Sequence, residues 1–201
     1  MPCGCNYRLA SNGSGVTAQT TQDIWQDPLE KVLATTGDFA KKNPNICRAV
    51  TAAILEASRW IDAGLQNKNK MPETIADKSY VNTSVDAINQ CIWGRYQNGM
   101  GKTWDDPNFM KFFSDGAVNF PCLSEGMGFL TQHKRWGLLK DHPNDLAVAR
   151  QINQIDLYKQ AAAASKTPVP KDLMRTSKLI DGVVWDGKDP KKYADSFAIK
   201  A

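Results

Sequence analysis

The sequence predicts a helix-rich α/β fold with few strands. Three observations carry that reading. Helical spacing of apolar residues dominates the stretches around 43–64, 84–99, 124–136 and 145–165. Runs that suit a strand are few and short, too few to build a sheet of ordinary size, about 5–6 strands, by themselves. Gly (14) and Pro (10) fall without period, so they punctuate elements and do not build a low-complexity tract. If a sheet exists, part of it is expected outside these 201 residues.

Composition narrows the function classes. Lys+Arg is 25 against 21 Asp+Glu, a formal charge of +4, which lacks the basic excess of a dedicated nucleic-acid binder. Hydrophobic residues at 42% and charged residues at 23% are ordinary for a packed chain. No apolar run approaches the ~20 residues of a membrane-spanning helix. Five scattered cysteines (Cys3, Cys5, Cys47, Cys91 and Cys122) do not form a disulfide framework.

The first 30 residues read as loop, with Asn12-Gly13 and Ser14-Gly15 as turn signals. They show no basic start and apolar core of an export signal. Val32-Leu33-Ala34-Thr35-Thr36 is β-branched and apolar and predicts a buried strand, followed by a short helix over Asp38 to Lys42. Asn43 and Pro44 open a long helix that Gly64 stops. Its Ile46, Val50, Ile54 and Ile61 predict a core-packing face, with Arg48, Glu56, Arg59 and Asp62 on the wetter side.

A shorter helix is expected over Met71 to Asp77, entered through Pro72. The next starts near Thr83 or Ser84, carries Val85, Ile88, Ile92 and Tyr96 on one face and ends at Gly99 and Gly101. Met110 to Phe113 suits a strand or a single turn. Ser124 caps a helix to about Trp136. Asp145 to Ser165 is one helix, or two joined near Asp156. After Thr167 an extended strap ends in Tyr193, Phe197 and Ile199 as anchors. The chain therefore divides into an irregular segment 1–30, a helix-rich part 31–167 and a strap 168–201.

No motif in the chain carries catalysis. There is no phosphate-binding loop, dinucleotide fingerprint or nucleophile elbow. His133 and His142 lack the Glu and spacing of a zinc pair, and Cys3-Gly4-Cys5 lacks the usual spacer and a second ligand pair. Cys47, Cys91 and Cys122 sit among apolar neighbours, as buried thiols do. Trp104-Asp105-Asp106 reads as a solvated turn and Lys188–Lys192 as a solvated charge run. No cofactor and no metal are expected, and a binding module fits better than an enzyme.

A series of strings, in one order, is more specific. These are Thr20–Trp25 with Glu30–Leu33, Ala53–Ala57 with Trp60-Ile61-Asp62, and Ile75–Val81. Next come Arg95-Tyr96-Gln97-Asn98-Gly99, Gly116–Pro121 and Phe129–His133 leading into Arg135-Trp136-Gly137. Ile155–Tyr158 and Asp181–Gly187 complete the set. From about Arg8 to Ile199 the chain resembles the C-terminal half of the nitrate-binding proteins of bacterial nitrate ABC transporters. The similar bicarbonate-binding proteins share much of that layout.

The resemblance implies a two-lobed fold of the periplasmic binding protein type II-like class, truncated here to its helix-rich C-terminal portion, with an anion held in the cleft. A cleft segment Pro-Trp-Asn of the family corresponds to Cys3-Gly4-Cys5-Asn6, where only Asn6 matches and Cys5 stands in the place of Trp. Asn6 and the nearby cation Arg8 are the candidate substrate-binding residues. The implied ligand is nitrate or a similar small anion such as nitrite or bicarbonate, and the implied partners are ABC permease subunits, with no nucleic acid. The implied location is the periplasm or the outer face of the inner membrane. Impaired anion binding follows from a cleft with half its walls. The alternatives are a regulatory or interaction domain derived from the same fold, or a bicarbonate-binding homologue.

Overall fold

A computed structural model describes residues 9–10, 12–29 and 31–199. Within these, helices dominate. The first is α1 (Thr21–Ile24), opened by a capping box: the Thr20 hydroxyl accepts from the Asp23 amide, and the Asp23 carboxylate accepts from the Thr20 amide. The loop reading of the first 30 residues therefore misses one short helix, whose Thr-x-x-Asp signature lies in plain sight.

Val32 to Thr36 is not a buried strand. It has no ladder partner, and Val32 and Leu33 are 72% and 60% exposed. Thr36 instead caps α2 (Gly37–Lys42) through a bond from the Phe39 amide. β-branching alone does not make a strand where no neighbour satisfies its backbone.

Helix α3 (Pro44–Asp62) starts at Pro44 as expected, with Asn43 at the N-cap position but no side-chain cap bond. Its orientation overturns the sequence reading for Ile46, Val50, Ile54, Arg59 and Asp62 but keeps it for Ile61, which packs on a core, and for the exposed Arg48 and Glu56. Leu55 and Ser58 are the buried residues, and the face with Asp62 and Arg59 meets the rest of the chain. Ile46, Val50 and Ile54 point outward. Helix α4 (Leu65–Ile75) begins six residues before the expected Met71 and holds Pro72 inside it. Gly64 is the hinge between α3 and α4.

Helix α5 (Val85–Trp93) is capped by Ser84 and ends at Gly94 with φ 63°, earlier than the expected Gly99 and Gly101. A Cβ at Gly94 would lie 2.4 Å from the Asp106 carbonyl oxygen, so only glycine lets the chain turn there. Tyr96 consequently leaves the helix for β1 (Arg95–Gln97), which pairs antiparallel with β2 (Thr103–Asp105). Asn98 organises the connecting loop, its Oδ1 accepting from the amides of Met100 and Lys102.

Met110 to Phe113 is neither strand nor helix, and leads into a 3₁₀ turn at Ser114–Gly116. Helix α6 (Leu123–Arg135) follows, and its N-cap position is Cys122 with no side-chain cap bond. Ser124 instead spends its hydroxyl on the strap. The 145–165 region is two helices, α7 (Asp145–Ile152) and α8 (Ile155–Ala164), broken at Gln154 with φ 33°. The tail contains β3 (Ser177–Lys178), β4 (Val184–Trp185) and a final α9 (Pro190–Asp195), capped by Asp189. Among the described residues the only sheets are the two antiparallel pairs β1–β2 and β3–β4.

Three small cores hold these elements. Leu55, Phe120, Cys122, Tyr158, Ala161 and Ala162 join α3 to α8. Leu123, Met127, Ala149 and Trp185 join α6 and α7 to the strap. Met71, Ile88 and Ile92 join α4 to α5. Ile155 and Leu173 lie against both of the first two. In the tail, Tyr193 packs on Trp185 and Phe197 at centroid distances of 4.7 and 5.1 Å. Ile199 is exposed and is no side-chain anchor; its carbonyl accepts from Arg135 Nε at 2.9 Å.

Candidate functional site

Asn6 and Arg8 lie outside the described residues, as do Cys3 and Cys5. The stretch that adjoins them is described and has a definite seat. The amides of Ser14 and Gly15 donate to the Leu9 carbonyl at 3.0 and 3.1 Å, tying Ser14 and Gly15 back to Leu9 in a turn. Ala10 is buried. The turn rests on the β1–β2 loop: Thr17 donates to the Asn98 carbonyl at 3.2 Å. A Cβ at Gly99 would come within 3.1 Å of the Ala10 carbonyl, so glycine permits the close approach there too.

That hairpin carries two cations. Arg95 faces Asp105 at 3.9 Å, with both groups well exposed. Lys102 Nζ lies 5.8 Å over the Trp104 ring, which packs against Tyr96 at 5.6 Å. Aromatic faces attract cations, so Lys102 has a preferred seat without a carboxylate partner in that contact. The string Arg95–Gly99, one of the resemblance motifs, thus seats the described turn that holds Leu9, Ala10 and Thr17.

Several buried or half-buried polar groups elsewhere are committed to structure. Glu125 in the first turn of α6 pairs with Arg175 of the tail. Arg175 also donates to the Asp27 carbonyl at 3.3 Å. Ser124 Oγ donates to the Arg175 carbonyl at 2.9 Å and accepts from its amide at 2.8 Å, and Trp185 Nε1 donates to the Ser124 carbonyl at 2.6 Å. With its guanidinium neutralised by Glu125, Arg175 is a clasp and not an anion receptor. Asp62 Oδ2 accepts from the amides of Phe112 and Phe113 at 2.9 and 2.8 Å, and Lys68 stands 3.6 Å from Oδ1.

Nor do the described residues assemble a nucleophile. Burial pushes the Cys122 thiol up, keeping it protonated and inert. Tyr158 is pushed up to about 12, chiefly by burial and then by Cys122. Asp145 is raised by burial, opposed by a backbone bond and by His142. His133 is exposed on α6, as its sequence neighbours suggest. Among the described residues no group of three or more His, Cys, Asp or Glu stands ready to hold a metal ion.

Two surface pockets remain. One of about 250 Å³ is lined by Gln22, Asp23, Gln26, Asp106, Asn108, Lys178, Leu179 and Ile180. Two carboxylates against one amine suit an oxyanion poorly, since it wants convergent donors and a cation. The other lies among Asp189, Lys191, Lys192, Asp195 and Ser196, where Lys191 is already held by Asp195 at 2.5 Å. Neither of these two pockets offers the donor set of an enclosed oxyanion site.

Comparison with known proteins decides the lineage. A family model described as the NMT1-like family matches residues 5–76. The chain is 33% identical over 202 residues to the nitrate/nitrite binding protein NrtA of Nostoc sp. PCC 7120, covering 97% of this chain and 45% of that protein. Its structure superimposes on the crystal structure of the periplasmic nitrate-binding protein NrtA from Synechocystis PCC 6803 with a TM-score of 0.89 at 28% identity, covering 98% of this chain and 52% of that one. The chain is homologous to the NrtA nitrate-binding proteins.

It spans about half the length of the NrtA relatives it matches. It is also 30% identical over 194 residues to the nitrate import ATP-binding protein NrtC of Synechococcus elongatus, covering 94% of this chain and 28% of that protein. The NrtA-like unit thus recurs inside proteins of different length. The fold is that of an NrtA periplasmic binding protein over this half, helix-rich with few strands. Among its described residues no helix is long and apolar enough to cross a membrane.

The sequence missed the Glu125–Arg175 clasp and the Asp62 receptor for two backbone amides. Each joins residues about 50 positions apart, and no local pattern announces such a pair. The resemblance string Gly116–Pro121 was the nearest signal, since it leads into Cys122 and the start of α6.

Proposed function

We propose that this NrtA-like chain is the C-terminal portion of a solute-binding component that serves a nitrate ABC transport system at the outer face of the inner membrane. It hands a small anion to permease subunits and performs no catalysis. The observation that carries this reading is the superposition on NrtA, 0.89 in TM-score over 98% of the chain at 28% identity. Asn6 and Arg8 are the residues it brings to the anion, Asn6 as a hydrogen-bond donor and Arg8 as the cation. The β1–β2 hairpin carries two further cations, Lys102 and Arg95.

The 201 residues alone bind nitrate weakly in this reading. A monovalent oxyanion is held by donors converging from several sides in a desolvated pocket. The two pockets described above offer no such set. Calorimetric titration of the chain with nitrate, nitrite and bicarbonate side by side is the test. Millimolar or absent binding is expected, and micromolar nitrate affinity would overturn the claim of impairment. A nitrate response lost in Arg8→Ala would support the assigned role of that cation.

A second reading has its own support. The similarity to NrtC places the same unit within a protein named as an ATP-binding component. An interaction or regulatory domain of this fold would respond to a transporter subunit and not to the anion. Binding of an ATPase subunit to the chain, unchanged by saturating nitrate, would favour it over the first reading.

A further inference from the structure

We infer that the outward face of α3 is an interface for the part of an NrtA-type body that these 201 residues do not cover. At about 100° per residue, Ile46, Val50, Ala53, Ile54, Ala57 and Trp60 fall on one side of the helix. That side is open: Ile46, Val50, Ile54 and Trp60 are 51%, 43%, 39% and 45% exposed, and Ala53 and Ala57 are exposed between them. Ala53 and Ala57, set among these large apolar residues, leave the strip low between Val50 and Trp60, a shallow trough that admits a close neighbour.

The opposite side of the same helix is the unusual one. It turns Leu55 inward, but with it Ser58, Arg59 and Asp62. Arg59 donates to the Lys166 carbonyl at 3.2 Å, and Asp62 accepts two backbone amides. From Ile46 to Trp60 the more apolar side of α3 thus faces away from its own chain and the more polar side faces in, while Ile61, further along the apolar side, packs on the Met71, Ile88 and Ile92 core. A helix so arranged is sandwiched: each face answers a different neighbour.

One observation identifies the missing neighbour. The chain aligns along 98% of its own length but covers only 52% of the NrtA structure, so 48% of that protein has no counterpart here. The occupant is that complementary segment, whether it comes from the same polypeptide or another. Exposed apolar surface of this extent ordinarily marks a contact with protein. This inference rests on the NrtA-type reading of the fold, but it needs no anion to be bound.

The test is association in nitrate-free buffer. The complementary part of Synechocystis NrtA is produced as a separate polypeptide and mixed with the 201-residue chain, and the product is weighed by light scattering after size exclusion. A one-to-one complex is expected. Ala53→Glu and Ala57→Glu, both at exposed positions, are expected to weaken it at least a hundredfold while leaving the circular dichroism melt of the isolated chain unchanged. Arg48→Glu, exposed on the opposite side of the same helix, is expected to change it less than threefold. Absence of a complex overturns the inference, as does a complex indifferent to Ala53→Glu. A homodimer of the chain alone that Ala53→Glu dissociates also overturns it, because a second copy then owns the face. Failure of nitrate titration with this result intact would condemn the transport reading and not the interface.

Discussion

Replacing Arg175 by alanine isolates the clasp between the tail and α6. Glu125 is nearly buried, at 8% side-chain exposure, while Arg175 keeps 32%. Its second carboxylate oxygen, Oε2, is buried without a hydrogen-bond partner among the described residues. Removing one partner of a fully buried pair costs about 3–5 kcal/mol, because the survivor stays charged and dry. Two features set the value here. The one-third exposure of Arg175 reduces the loss, and the N-terminal end of α6 returns roughly 0.5 kcal/mol to the carboxylate. Against these, the bond to the Asp27 carbonyl adds about 1 kcal/mol. The expected cost is about 3 kcal/mol, or a fall of roughly 6–12 °C in Tm for a chain this size.

Urea unfolding followed by tryptophan fluorescence measures it, with Trp185 beside the clasp as a reporter. The companion variant Glu125→Gln removes the charge in place. Combined with Arg175→Ala it is expected to recover about 1–2 kcal/mol of the single-variant loss, since no uncompensated charge then remains. A cost below about 1 kcal/mol for Arg175→Ala, or strict additivity in the double variant, would refute the reasoning that a dry ion pair fastens the tail.

Three further expectations test the description of the fold. Leu55→Ala should cost about 2–5 kcal/mol, while Ile54→Ala, its exposed neighbour, should stay within about 0.5 kcal/mol in the isolated chain; equal costs in urea melts would mean that α3 is turned the other way. Gly116→Ala should destabilise by more than about 2 kcal/mol, because φ is +84° and the new Cβ would lie 2.4 Å from the Pro168 carbonyl; a thermal melt unchanged within 1 °C would contradict that. Asp145 has its carboxyl raised mainly by burial, so its ionised form is less favoured in the folded chain than in the unfolded one. The stability this group contributes is present below the ordinary Asp range, about 3.9, and is lost as pH rises through the raised value. Asp145→Asn should therefore gain on the parent chain between pH 4 and pH 7, and urea midpoints that differ equally at both pH values would disprove it.

Most helices were legible because their ends are written locally. Pro44 at the start of α3, Ser84 before α5 and the left-handed Gly94 after it are local chemistry, although the sequence reading placed the end of α5 too late. What failed was whatever depends on a distant neighbour. Val32 to Thr36 has the composition of a strand and no partner. The apolar periodicity of α3 predicted a core-packing face, but Ile46, Val50 and Ile54 are exposed and only Ile61 of that set packs on a core, while the opposite side meets the chain through Asp62 and Arg59. Periodicity reveals that a face must be covered and says nothing of which polypeptide covers it. The candidate residues Asn6 and Arg8 came from the resemblance alone, since a single Asn and a single Arg carry no spacing signal.

The three separate cores and the reversed α3 belong to one argument. A unit that recurs at 45% of an NrtA protein and 28% of an NrtC protein must keep its internal contacts whatever else surrounds it. The clusters around Phe120, Met127 and Ile92 do this, because each is closed by residues of this chain. The Glu125–Arg175 clasp and the Trp185 bond to Ser124 fasten the tail across α6, so the unit is tied at its end by its own residues. The outward trough of α3 is the complement: it is the surface whose burial is left to the remainder of the body. A polar inner face then has a physical reason. Asp62 fixes the backbone after Met110, and Arg59 fixes the end of α8, with directional bonds that hold α3 at one angle. An apolar face packs at many angles, whereas these bonds admit one, so the trough is presented to its neighbour in a fixed orientation.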